Sequence, residues 1–101
     1  MCRRWTGAAF ATLVWFPRAA IIWTGEPLSY RSSPIALRTH CGVCGTPLSL
    51  AYDARDDIAL TAGSLDDPAS VVPTHHYGVE GRLPWADIGA DLPAKPTRER
   101  W

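Results

Sequence analysis

The sequence predicts an all-β domain of two packed antiparallel sheets, and three observations carry that prediction. Short runs rich in β-branched and aromatic residues recur along the chain. Eight glycines and nine prolines separate those runs in 101 residues. No apolar stripe with a 3.6-residue period accompanies them, so no amphipathic helix competes.

The elements follow in order. Thr12–Phe16 (TLVWF) reads as a strand that Pro17-Arg18 ends, with a helix as the alternative because of the Ala-rich stretch before it. Ala20–Thr24 (AIIWT) reads as a second strand from its β-branched and aromatic content. Leu28–Arg31 alternates after the Gly25-Glu26-Pro27 turn, and Ser32-Ser33-Pro34 breaks it. Ile35–His40 alternates again, with Ile35, Leu37 and Thr39 on one face and Arg38 on the other. Pro47–Tyr52 and Ile58–Ala62 flank an Asp-rich turn and predict a hairpin. Gly63–Pro68 is loop chemistry, with Asp and Ser side chains suited to bonding nearby backbone N–H groups. A short strand is expected around His75–Tyr77 and a helical turn at Trp85–Ile88. The end of the chain, 94–101, reads as a peripheral tail.

Composition bounds the function. The apolar fraction of 47% and charged fraction of 20% exclude a disordered chain. Ten Lys+Arg against ten Asp+Glu give zero net charge, so the chain as a whole lacks the basic footprint of a nucleic-acid binder. A chain this small buries about 60–65% of its unfolded surface, which makes a stabilising metal worth looking for. Arg3-Arg4 before the apolar stretch Gly7–Phe16 imitates a signal peptide. That stretch is about half the length of a membrane span. No cleavage site follows it. The expectation is a soluble, cytoplasmic protein with no membrane partner.

Cys41-Gly42-Val43-Cys44-Gly45 is the strongest local signal. Two thiolates at i and i+3 can grip one metal ion if the chain turns tightly, and glycines at 42 and 45 permit such a turn. A redox pair and inert thiols are the alternatives. The redox reading needs the motif to open a helix, which Gly45-Thr46-Pro47 opposes. A closed zinc site needs four ligands, and one knuckle offers two. Cys2, His40, His75 and His76 are the other candidates. Adjacent histidines in a strand face opposite ways, so at most one of His75 and His76 serves a given site. The ordinary role for each histidine is a surface or hydrogen-bonded residue. Positive charge at Arg3 and Arg4 favours a thiolate at Cys2. The spacing of Asp53, Asp56, Asp57, Asp66 and Asp67 fits turns rather than a calcium loop. Arg98, Arg100 and Trp101 fit a solvated tail.

The order of motifs is similar to a known family. Cys2-Arg3-Arg4-x-Thr6-Gly7-Ala8 opens the series, followed by Gly25 and Tyr30-Arg31-Ser32-Ser33-Pro34. Arg38-x-x-Cys41-Gly42-x-Cys44-Gly45-Thr46-Pro47-Leu48 comes next, then Gly63–Pro68, Pro73-x-His75-His76 and Pro84-Trp85. The chain resembles the glutathione-dependent formaldehyde-activating enzyme family, which also includes centromere protein V. The resemblance covers residues 2–93. It implies a small zinc-binding β-tent and carbon–sulfur lyase chemistry on the adduct of formaldehyde with glutathione or a similar thiol.

The resemblance also implies two zinc sites. Cys41 and Cys44 match half of a structural site whose other half is an upstream C-x-C. Cys2 matches the last cysteine of the catalytic C-x-C-x-x-C. The expectation is a domain over 1–93 that lacks its N-terminal segment, through a late start or as a fragment. Little catalysis is then expected from these 101 residues. The alternative reading is a non-catalytic zinc-binding structural or interaction domain. An oligomer is a further expectation, since two chains could pool their knuckles around one zinc.

Overall fold

A computed structural model describes residues 1–87 and 91–100. Strands β1 (Leu13–Pro17), β2 (Leu28–Ser33), β3 (Ala36–His40), β4 (Pro47–Tyr52) and β5 (Asp57–Thr61) form one antiparallel sheet. Its order is β1-β5-β4-β3-β2. Strands β2 to β5 are successive hairpins, and β1 returns to pair with β5. The Asp-rich turn joins β4 to β5 as expected, tightened by Arg55 N–H donating to the Tyr52 carbonyl at 3.1 Å.

Register explains the core. Ala36 lies opposite Tyr52, Leu50 opposite Ala59, and Arg38 opposite Leu50, all on one face of the sheet. Ala36, Leu50, Tyr52 and Ala59 form the buried cluster, with Leu13 and Ile35 packed against it. The small Ala36 and Ala59 leave room for their large cross-strand neighbours. Tyr52 also stacks on Trp15 of β1, with ring centroids 6.2 Å apart and an interplanar angle of 14°. The face that carries Arg38 is therefore a buried one.

The architecture departs from two packed antiparallel sheets. The second ladder is two residues long and parallel, β6 (His76–Tyr77) beside β7 (Ala94–Lys95). A parallel pair cannot be joined by a tight hairpin, and these two strands are far apart in the sequence. Bonds from His76 N–H to the Pro93 carbonyl (2.7 Å) and from Gly78 N–H to the Lys95 carbonyl (3.0 Å) hold it. The expected strand at Ala20–Thr24 is also absent. Arg18–Ala20 is a 3-10 turn, the chain then runs irregularly, and Ile22 is 91% exposed. β-branched content makes a strand only where the segment pairs with a neighbour, and this segment pairs with neither outer strand of the sheet, β1 or β2.

Residues Cys2–Thr6, to which the sequence assigned no element, form a short helix, α1. Gly7 closes it in the left-handed region (φ 68°), with its N–H on the Arg3 carbonyl at 2.7 Å. The expected helical turn near Trp85 is a single hydrogen-bonded turn, Ala86 N–H to the Leu83 carbonyl at 3.0 Å. Its expected last residue, Ile88, lies outside the described residues, as does Trp101. The final segment is mostly exposed but tied down. Thr97 N–H donates to Glu80 at 3.2 Å, Arg98 N–H to the Tyr77 hydroxyl at 2.9 Å, and the Tyr77 hydroxyl to Glu99. Among the described residues no helix is long and apolar enough to cross a membrane.

Candidate functional site

The Cys41–Gly45 knuckle is the tip of the β3–β4 hairpin, on the tight turn that the sequence predicts. Cys41 N–H donates to the Thr46 carbonyl at 2.8 Å, and Gly45 N–H returns to the Cys41 carbonyl at 2.9 Å. Gly45 sits at φ +77°, where a side chain is strained. At Gly42 the space is tight instead, since a Cβ there would lie 3.2 Å from Cγ of the exposed Leu28 side chain, which would have to give by a few tenths of an ångström. The turn leaves the intervening Val43 97% exposed.

The turn brings the two thiols together. The Thr46 hydroxyl lies 2.9 Å from Cys44 Sγ. That bond holds the Cys44 thiol below its usual pKa, helped by the Thr46 backbone N–H and by Cys41. Hydrogen bonds to a thiolate favour the charged form. Thr46, which the sequence reading did not single out as a functional residue, is therefore the local activator of the knuckle. A hydroxyl two residues after a thiol in a turn was the signal available for it.

Cys2 lies elsewhere, at the start of α1. Its sulfur accepts a hydrogen bond from Arg38 Nη2 at 3.5 Å. Arg38 is only 3% exposed. Its guanidinium stacks on the Trp5 ring at 4.8 Å and donates through Nε to Ser32 Oγ at 3.1 Å. Arg38 Nη1 and Trp5 Nε1 are buried without a hydrogen-bond partner among the described residues. Burial raises the nearby Tyr52 hydroxyl to about 12, the negative charges of Glu99 and Cys2 push the same way, and Arg38 opposes them. Sequence reasoning placed Arg38 on a strand face but gave it no role.

The histidines are dispersed. His40 ends β3, opposite Leu28 and Pro47. His75 is exposed, with its Nδ1 3.0 Å from the Thr74 hydroxyl, while His76 is half-buried in β6. Among the described residues, no three His, Cys, Asp or Glu side chains form a group that could hold a metal ion. Cys41 and Cys44 are brought together, but Cys2 does not join them in such a group.

A shallow groove touches both sulfur regions. One of its walls is Thr6, whose hydroxyl donates to the Cys2 carbonyl at 2.9 Å. Another is Thr46, the partner of Cys44. A second surface depression, between Trp15, Phe16 and Arg55, lies at the β1–β5 end of the sheet.

A model of the glutathione-dependent formaldehyde-activating enzyme family matches residues 1–80. The chain belongs to that family. The match includes α1, the main sheet, the knuckle and the groove, and it stops before β7. Comparison with curated proteins gave no match. In this formaldehyde-activating family member the knuckle and the Cys2 helix are therefore both within the shared domain.

Proposed function

We propose that this chain is a zinc-binding family member that acts on the carbon–sulfur bond of a thiol–formaldehyde adduct, with glutathione or a similar thiol as partner. The paired thiols of the knuckle are the observation that supports the reading. They sit on a turn whose backbone is closed at both ends, and Thr46 stabilises the charge of one sulfur. Cys41 and Cys44 are the donors offered to the structural zinc, and Cys2 is the residue offered to the catalytic one.

The described residues do not complete either site. A tetrahedral structural zinc needs four donors and a catalytic one three, against two and one here. No step is therefore derived through the metal. The reaction balances without an oxidant or reductant. The thiol loses its proton, its sulfur pair forms the bond to the formaldehyde carbon, and the carbonyl π pair moves to oxygen and takes a proton. The lyase direction reverses those steps. The dispersed donor set favours the second reading, a non-catalytic zinc-binding or interaction domain of the same family.

Two measurements separate the readings. Elemental analysis after mild chelation should find zinc lost in Cys41→Ser and Cys44→Ser and nearly unchanged in Cys2→Ser. Adduct formation from formaldehyde and glutathione is then followed against the uncatalysed rate, because the two combine spontaneously. A zinc-dependent excess supports the lyase. Retained zinc with no excess supports the non-catalytic domain, and zinc unaffected by either knuckle substitution overturns both.

A further inference from the structure

Arg38 is a buried cation with donors to spare. It is 3% exposed, and no ion pair among the described residues includes it. Its Nε is spent on Ser32 Oγ at 3.1 Å, and the Trp5 ring covers the guanidinium at 4.8 Å. Nη2 rests on Cys2 Sγ at 3.5 Å, and a thiol sulfur is a weak acceptor. Nη1 has no partner among the described residues. Neither does the buried Trp5 Nε1, on the same short helix as Cys2. A buried charge without a counter-ion is costly, and so are buried donors without acceptors. The cluster lacks one anion with two acceptor oxygens.

Exposure indicates where that anion comes from. Both orphan donors are closed to solvent, so a free anion has no open route to them. Cys2 is only half-buried, and its sulfur already touches the guanidinium. Oxygen added to that sulfur therefore arrives beside Arg38 without any ion having to enter. Two oxygens make a sulfinate, which carries one negative charge. It offers its oxygens much as a carboxylate does, and the terminal nitrogens of an arginine grip such a pair in parallel.

We propose that Cys2 is a modification site, oxidised by hydroperoxides to a sulfinate that Arg38 holds. Each of two steps consumes one hydroperoxide. The sulfur pair forms a bond to a peroxide oxygen, the O–O bond breaks, and the leaving oxygen takes a proton and departs as water or an alcohol. The first step oxidises the thiol to a sulfenic acid, and the second takes that to the sulfinic acid, which ionises. The peroxide is reduced both times. The proposal uses no metal and stands whether or not the chain is a lyase. Where Cys2 serves a zinc ion, its oxidation removes the thiolate donor.

Two experiments on the metal-free chain test it. In the first, the protein is treated with a small excess of hydrogen peroxide, and the product at Cys2 is located by tandem mass spectrometry. Sulfinate should be the main product. Its share should fall by about fivefold or more in Arg38→Met, which keeps the side-chain volume and removes the donors. In the second, Cys2→Asp places a carboxylate where the sulfinate would form, and Cys2→Asn is its neutral counterpart. Cys2→Asp should unfold about 4 °C or more above Cys2→Asn, and most of that difference should disappear when Arg38→Met is added to both. A sulfinate share unchanged by Arg38→Met would overturn the proposal. So would a disulfide through Cys2 as the main product, or a Cys2→Asp advantage that survives in full without Arg38. If Arg38→Met does not fold, the comparison of Cys2→Asp with Cys2→Asn beside the native arginine decides it, and equal unfolding temperatures sink the proposal.

Discussion

Cys2 and Cys44 each have a hydrogen-bond donor at sulfur, but the donors come from different depths of the fold. At Cys2 the donor is a guanidinium buried in the central sheet and stacked under α1. At Cys44 it is a threonine hydroxyl in an exposed turn that closes on itself. The first arrangement ties the surroundings of a sulfur to the packing of the whole domain. The second can be altered with little effect on the domain. Truncating the donor should therefore change stability and sulfur chemistry together at Arg38 and separately at Thr46.

The largest expected effect is at Arg38. Its aliphatic stem fills space beside Leu50, and the guanidinium carries Trp5. Arg38→Ala should cost about 2–4 kcal/mol, by loss of packing and the cavity left behind. Arg38→Met keeps the volume and removes a buried charge that has no carboxylate partner among the described residues. Such replacements are often neutral or stabilising, so Arg38→Met should lie within about 1 kcal/mol of the parent in urea unfolding. If both variants unfold alike, the charge rather than the packing holds this region together.

The unequal legibility of the two regions has a physical origin. The knuckle was readable because its requirements are local: cysteines at i and i+3, and glycine where φ is positive. Strand β3 was readable because its residues alternate, and β4 and β5 because two runs flank an Asp-rich turn; both runs are buried over most of their length. The role of Arg38 depends on Trp5, thirty-three residues away, and on which strands become its neighbours. No local pattern encodes that. Ala20–Thr24 failed for the converse reason, since its residues favour a strand but the segment pairs with neither outer strand of the sheet. The parallel β6–β7 ladder joins two-residue segments too short to show any period. The groove brings together residues 6–12, 46–47 and 61–64, which only the folded sheet makes neighbours.

The next effect sharpens the same contrast by pH. Tyr52 in the buried region has its hydroxyl raised from 10 to about 12, first by burial and then by the charges of Glu99 and Cys2. The folded state therefore holds that proton more tightly than the unfolded chain. Its contribution is fully present below pH 10 and is lost as pH rises towards about 12. A two-unit shift corresponds to about 2.7 kcal/mol, and discounting it by half for solvent screening leaves about 1–1.5 kcal/mol. Thermal unfolding across that window should show the decline, and Tyr52→Phe should flatten it. A decline of equal size in Tyr52→Phe would assign it to other groups.

In the knuckle, Gly45→Ala should cost about 1 kcal/mol through the left-handed backbone it must adopt. Chemical shifts should change around the turn and leave the Ala36–Tyr52 core untouched. Changes that reach Ala36 or Ala59 would show that the turn is not autonomous.

The smallest effect on stability is expected at Thr46, and it tests the separation most directly. Thr46→Val keeps the shape of the side chain and removes the hydroxyl that gives the largest contribution to holding the Cys44 thiol down. The backbone N–H of residue 46 remains, so the thiol should move only part of the way back towards its ordinary value. A higher thiol pKa means less thiolate at neutral pH. Alkylation of Cys44 by iodoacetamide should therefore slow several-fold at pH 7, in metal-free protein with Cys2 and Cys41 replaced by serine in both chains. The two rates should converge near pH 10, where both thiols are largely ionised. Unfolding free energy should change by no more than about 0.5 kcal/mol, because the site is exposed. An unchanged pH profile would mean that the 2.9 Å contact does not persist in solution. A stability loss as large as that of Arg38→Ala would mean that the knuckle, too, is tied to the packing of the sheet, and the contrast between the two sulfurs would fail.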